Sequence, residues 1–265
     1  MPDDPEPVPE ILWKYRQWDD KGHARSIVES SELYYATRDQ LNDPLDFHWR
    51  DKYPTDPAEL FRFTKAYCTK HFPVETGIQR VEVLAEVIGL IKNAMRDSVD
   101  GHMWTDAELA LGVLSLSEAC DDFLLWSHYA ASHKGICIGI RTDRIRGDGK
   151  VITFRKCRYI DEPVTMDAWA YVTDKIEPLL DAICCKASRW SYEQEWRSVA
   201  TPGLRRFPGC VDRIVLGVNV DEKTKTEVLD SVNRSGQPIK IFHAKPHPWL
   251  YQLEIVPIDG TNSGA

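Results

Sequence analysis

Glu193 and Glu195 stand two positions apart in the run Trp190-Ser191-Tyr192-Glu193-Gln194-Glu195-Trp196-Arg197. Read as a β-strand, the run separates into two opposite faces, because side chains alternate across a strand. Trp190, Tyr192, Gln194 and Trp196 fall on one side, and Ser191, Glu193, Glu195 and Arg197 on the other. Paired carboxylates on a strand anchored by large aromatics suit the stabilisation of a developing positive charge, or hydrogen bonding to a sugar hydroxyl. A solvated outer face of the same composition is the alternative.

Other residues could serve such chemistry. Lys14-Tyr15-Arg16 sets two cations around a ring, a combination able to hold a phosphate or pyrophosphate while the ring stacks nearby; a solvated strand edge reads the same way. Tyr34-Tyr35-Ala36-Thr37 leads into Asn42-Asp43-Pro44, where hydroxyls and turn amides can grip a nucleotide, although Asn-Asp-Pro also makes an ordinary structural turn. In Trp126-Ser127-His128-Tyr129 with His133, the histidines are not four apart and no cysteine or carboxylate completes a ligand set, so no metal is expected. Packing of Trp126 and Tyr129, with His128 hydrogen-bonded, is favoured there over catalysis. Lys186, Arg189, Arg197, Arg205 and Arg206 could add to a local basic groove for an anionic ligand.

These residues need elements to position them. The chain has 265 residues, 43% of them hydrophobic, enough for a sizeable core. A net charge of -8 argues against a protein that coats duplex nucleic acid through a broad basic surface. Seven cysteines without a C-x-x-C pair read as reduced thiols, and with no secretory signal or membrane-length apolar run the expected location is cytoplasmic. Strands are expected at 11–16, 32–37, 112–117, 136–140, 151–154, 190–200, 213–218, 238–244 and 250–257. Helices are expected at 22–30, within 57–111, from Phe123 to Ser132, over 165–187 and over 221–234.

That order gives an α+β fold with a twisted, mostly antiparallel sheet. The expected organisation is a disordered leader at 1–10, a single domain over 11–258 with a helical insertion at about 57–111, and a flexible tail at 259–265. No Gly-x-Gly-x-x-Gly, Walker-type loop or Gly-x-Ser-x-Gly elbow is present, which disfavours a Rossmann domain, a P-loop NTPase and a serine hydrolase of the elbow type.

The boxes Trp13-Lys14-Tyr15-Arg16, Leu41-Asn42-Asp43-Pro44, Trp126-Ser127-His128-Tyr129 and Trp190 to Arg197 together resemble an uncharacterised prokaryotic family of unknown function. More distantly, the chain is similar to the mono-ADP-ribosyltransferases, whose site takes a basic residue from an early strand, a hydroxyl residue from the next and a Glu-x-Glu pair from a later one. Lys14 or Arg16, Tyr35 or Thr37, and Glu193-Gln194-Glu195 stand in that order.

The resemblance implies an ADP-ribosyltransferase-like fold and transfer of ADP-ribose from NAD, without a metal, to a macromolecule, as in a toxin or phage-defence effector. The acceptor would be a protein or a nucleic acid. Glu195 would support the oxocarbenium-like transition state and Glu193 would orient the acceptor. Lys14, Tyr15, Arg16, Tyr34, Tyr35, Thr37, Asn42, Asp43, Trp126, His128, Tyr129, Lys186 and Arg197 would bind the dinucleotide. A non-catalytic nucleotide or nucleic-acid binding module is the second reading, and a metal-dependent nuclease using Glu193, Glu195, Asp43 and a histidine the third.

Overall fold

Ile136-Cys137-Ile138-Gly139-Ile140 carries no polar side chain on either face, and it forms a strand buried on both sides in the middle of the largest sheet. The computed structural model describes residues 7–19, 21–71, 82–89, 91 and 111–258. In chain order its strands are β1 (Ile11–Arg16), β2 (Glu32–Tyr35), β3 (Trp49–Lys52), β4 (Gly112–Ser117), β5 (Ile136–Arg141), β6 (Thr153–Lys156), β7 (Arg158–Ile160), β8 (Val164–Asp167), β9 (Cys185–Ala187), β10 (Glu195–Ala200), β11 (Gly203–Arg206), β12 (Val211–Leu216), β13 (Lys240–Pro246) and β14 (Leu253–Pro257). The chain divides into two compact units, one of Met1–Leu41, Leu111–Tyr159 and Ser188–Ala265, the other of Asn42–Ala110 and Ile160–Ala187.

The first unit is built on an eight-stranded sheet in the order β14-β13-β12-β5-β1-β4-β10-β6. Its neighbours run antiparallel except β12 and β13, which are parallel. A parallel pair needs a crossover, and the helix Glu222–Ser235, capped by Asp221, supplies it. The fold class is therefore α+β with a mostly antiparallel sheet, as the order of elements in the sequence implies.

Each face of the sheet has its own core. Leu12, Leu114, Leu116, Ile136, Ile138, Ile140, Trp196 and Ile214 pack with Ala24, Ile27 and Val28 of the helix His23–Ser30 and with Val228 of Glu222–Ser235. On the opposite face Tyr15, Cys137, Val215 and Ala244 pack against Leu125 and Trp126 of the helix Phe123–Tyr129. Tyr15 and Trp126 meet edge to face at 5.2 Å, a geometry worth about 1 kcal/mol beyond the area it buries. Asp122 caps the helix through the backbone amides of Leu124 and Leu125.

In the second unit β3 pairs in parallel with β8, and Phe63 of the helix Pro57–His71 meets Trp169 edge to face. Within the expected insertion Pro57–His71 and residues 82–89 are helical; residues 72–81, 90 and 92–110, together with 1–6 of the leader and the whole of the tail at 259–265, lie outside the described residues.

Three expected elements are corrected. The helix from Phe123 ends at Tyr129 instead of Ser132, because Ala131, Ser132 and His133 take left-handed conformations and Gly135 N turns back to Ala130 O. The single helix over 165–187 is instead β8, the helices Trp169–Val172 and Glu177–Ile183, and β9. Pro178 sits in the first turn of Glu177–Ile183, where its missing N–H costs nothing; in one long helix it would break the ladder. The strand at 190–200 begins only at Glu195, since Ser188–Glu193 is a 3-10 helix and Gln194 has φ 43°. All seven cysteines are free thiols.

Candidate functional site

Glu193 and Glu195 flank the corner at Gln194, where the chain leaves the 3-10 helix and enters β10. The left-handed residue brings Gln194 O into reach of Glu118 N and Gln194 N into reach of Ser191 O. Ser117, the last residue of β4, ties the corner down: its hydroxyl donates to Glu193 O at 2.7 Å and accepts from Ala119 N. Tyr159 Oη accepts the Glu195 amide at 2.7 Å. Tyr159 has no part in the sequence-based reading, and Ser117 enters it only as the end of the expected strand 112–117, not as a site residue. Only the register that sets Ser117 opposite both Trp13 and Glu195 makes its position meaningful.

Both carboxylates are buried, Glu193 to 5% exposure and Glu195 to 3%, so neither lies on the solvated outer face that the sequence left open. Glu195 receives Arg197 Nε at 2.8 Å and Arg197 Nη2 at 3.3 Å, and Arg197 is fully buried. Glu193 Oε1 accepts the Tyr129 hydroxyl at 2.7 Å. Arg155 of β6 is the cross-strand neighbour of Arg197 and hydrogen-bonds Thr153. The arrangement thus ties Glu195 to the Arg197 guanidinium and Glu193 to the Tyr129 hydroxyl. Trp126 is buried on the helix that carries Tyr129, its indole donating to Cys120 O, while His128 is exposed and edge-on to Tyr129.

The early-strand cations do not join this group. Trp13 is the register partner of Ser117, so Trp13 and Tyr15 share the face of Glu195, while Lys14 and Arg16 alternate to the other side. Lys14 Nζ donates to Ser115 O at 2.7 Å. Arg16 has its Nε buried without a partner, and burial lowers its basicity, opposed by the nearby Asp19. Tyr15 is a core residue whose hydroxyl donates to Ala119 O, and burial pushes its ionisation far above the ordinary range.

Tyr35 also belongs to the opposite face, hydrogen-bonded to Ser198 Oγ at 2.8 Å, its phenol pushed up to about 12 by burial. Tyr34 is exposed and donates to Gln40, which also receives the Thr37 amide in a capping box. Asn42, Asp43 and Lys186 fall in the second unit. There Asp43 forms the turn expected of Asn-Asp-Pro, accepting Leu45 N on Oδ1, while Asn42 is exposed and Lys186 buried. Of the basic groove, Arg205 pairs with Asp148 and Arg206 donates to Ser30 O.

Among the described residues no group of three or more His, Cys, Asp or Glu side chains is placed to hold a metal ion, and no helix is long and apolar enough to cross a membrane.

The stretch that builds the paired carboxylates is also the stretch that comparison with known proteins identifies. The family model described as a protein of unknown function (DUF2971) matches residues 125–198, from the helix carrying Trp126 and Tyr129 to the middle of β10. The match supports the resemblance to an uncharacterised family and attaches no reaction to it. No curated protein and no solved structure matches the chain, and the likeness to the mono-ADP-ribosyltransferases finds no support there.

Proposed function

We propose that the Glu193–Glu195 corner is a ribosyl-transfer site that takes NAD as donor and a macromolecule as acceptor, in the manner of an ADP-ribosyltransferase. The observation that carries this reading is the pair of carboxylates held at the Gln194 corner. Cleaving the nicotinamide–ribose bond builds positive charge on the sugar, which a fixed carboxylate can stabilise. Arg197 engages both oxygens of Glu195, and the Tyr129 hydroxyl orients Glu193 through Oε1. We therefore make Glu195–Arg197 the positioning pair and give Glu193 the charge-stabilising role, reversing the order that the family resemblance implies. Lys14, Arg16 and Tyr35 take no part in this version.

Incubation of the purified protein with NAD, with and without cell extract, should release nicotinamide, and Glu193→Gln should reduce release on the order of 10²-fold or more. NAD at about 100 times its dissociation constant should also stabilise the fold by roughly 2.7 kcal/mol, visible as a melting shift. Absence of both effects would end the proposal.

The burial of both carboxylates favours a second reading, a nucleotide-binding module without turnover. A melting shift with NAD that is never accompanied by nicotinamide release would select it.

A further inference from the structure

The turn between β13 and β14 is organised around one imidazole. His247 Nδ1 accepts the backbone amides of Trp249 at 3.1 Å and Leu250 at 3.0 Å, while His247 N donates to Gln252 O and Gln252 N to Leu250 O. A side-chain acceptor for amides two and three residues on is the turn chemistry of Asn, Asp and Ser, none of which loses its acceptor near neutral pH. Histidine at this position makes the acceptor titratable, because imidazoles take up a proton between about pH 8 and pH 5.

The contacts fix the tautomer. A nitrogen that accepts two N–H groups carries no proton, so the neutral ring holds its proton on Nε2, which faces Glu254 Oε1 at 3.4 Å. A second proton has only Nδ1 to go to. There it points at the two amides, which lose their acceptor, while the charged ring forms an ion pair with Glu254. Each protonation state thus has its own partner, the turn amides for the neutral ring and the carboxylate for the charged one.

We propose that His247 is a pH switch for this turn: the neutral ring holds Trp249-Leu250-Tyr251 closed on Nδ1, and uptake of a proton releases the segment. The cap is present above the imidazole range and is lost as pH falls through it. Release is local, since Trp249, Leu250 and Tyr251 are all exposed and nothing buried resists the opening. The charged groups around the turn come from three elements. Glu254 of β14 lies within ion-pair distance of the ring, and Lys245 of β13 is the register partner of Glu254. The start of the helix Phe123–Tyr129, whose Phe123 side chain borders the turn, brings Asp121 and Asp122, the latter engaged as the helix cap. Lys245 opposes a second positive charge on the ring, and Glu254 and Asp121 favour it.

Nuclear magnetic resonance of the full chain tests this. Histidine nitrogen shifts at about pH 8 should show Nδ1 of His247 without a proton and Nε2 with one. Between about pH 8 and pH 5 the protection of the Trp249 and Leu250 amides against hydrogen exchange, corrected for the intrinsic rate, should fall about tenfold as the ring titrates. His247→Asn supplies an acceptor that does not titrate, so its turn should keep that protection across the range, and the signals it removes identify His247 in the parent. Glu254→Gln should move the loss to lower pH, because the charged ring loses its counter-charge. A proton on Nδ1 at about pH 8, or a ring that stays neutral down to about pH 5, would overturn the proposal. So would amides whose protection ignores the titration, a parallel loss in His247→Asn, or a Glu254→Gln transition at the pH of the parent.

Discussion

Arg197 donates from Nε to Glu195 Oε1 at 2.8 Å and from Nη2 to Oε2 at 3.3 Å, so two residues on one face of β10 close a bidentate ion pair inside the protein. Breaking such a pair from one side removes a counter-charge from a buried site. Glu195→Gln should destabilise the chain by about 3–5 kcal/mol, read as a lower urea midpoint at unchanged slope. Replacing both residues by Met should recover most of the loss. A Gln variant that unfolds with the parent would show that Arg197 has another sufficient counter-charge.

Tyr129→Phe removes the hydroxyl that donates to Glu193 and leaves the ring in place. A hydrogen bond to a charged group contributes about 1.5–3 kcal/mol, and the stability loss should fall in that range. If Glu193 carries the proposed chemistry, nicotinamide release should fall with it, by less than for Glu193→Gln. Equal release by parent and Phe variant would remove Tyr129 from the site.

The sheet was legible in the sequence because burial on both faces leaves unbroken apolar runs. Ile136 to Ile140 is such a run, and Asp122 and Asp221 mark helix starts by their capping chemistry. The site was legible only in part. Trp190, Tyr192 and Trp196 imitate a period of two, yet the first two belong to a 3-10 helix and Gln194 resets the alternation. Glu195 and Arg197 share a face as alternation requires, but their burial against each other depends on β4 and β6 on either side. Lys14 and Arg16 looked like partners for the carboxylates because order along the chain carries no information about sheet face; the register of Trp13 with Ser117 decides it.

Two glycines mark where backbones touch. A Cβ on Gly217 would lie 2.2 Å from His133 O, and one on Gly135 would lie 2.3 Å from Arg16 O. Neither obstacle is a side chain that can swing away, so Gly217→Ala and Gly135→Ala should each cost about 1–3 kcal/mol or more. Gly149→Ala meets nothing within 4 Å and should leave stability unchanged or raise it by up to about 1 kcal/mol. Chemical denaturation of the three variants side by side checks the contrast, and an unaffected Gly217→Ala would mean that the turn at 131–133 yields easily.

That turn should also make stability depend on pH. His133 stacks on Trp126 at 6.2 Å, its Nε2 faces Ser127 Oγ at 3.2 Å, and its Nδ1 is buried without a partner. Burial lowers its pKa, because the charged imidazolium is the form that loses solvation. The unfolded chain therefore takes up a proton at about pH 6.5, before the folded chain does. The contribution of neutral His133 is fully present above that value and is lost as pH falls toward the lowered folded-state value. Asn tolerates the left-handed backbone at this position, where φ is 67°, and does not titrate. The difference in melting temperature between the parent and His133→Asn should thus be constant above about pH 7 and shift against the parent between about pH 6.5 and pH 5, above the range in which carboxylates dominate. A difference that stays flat across that window would show that His133 titrates alike in the folded and unfolded chains.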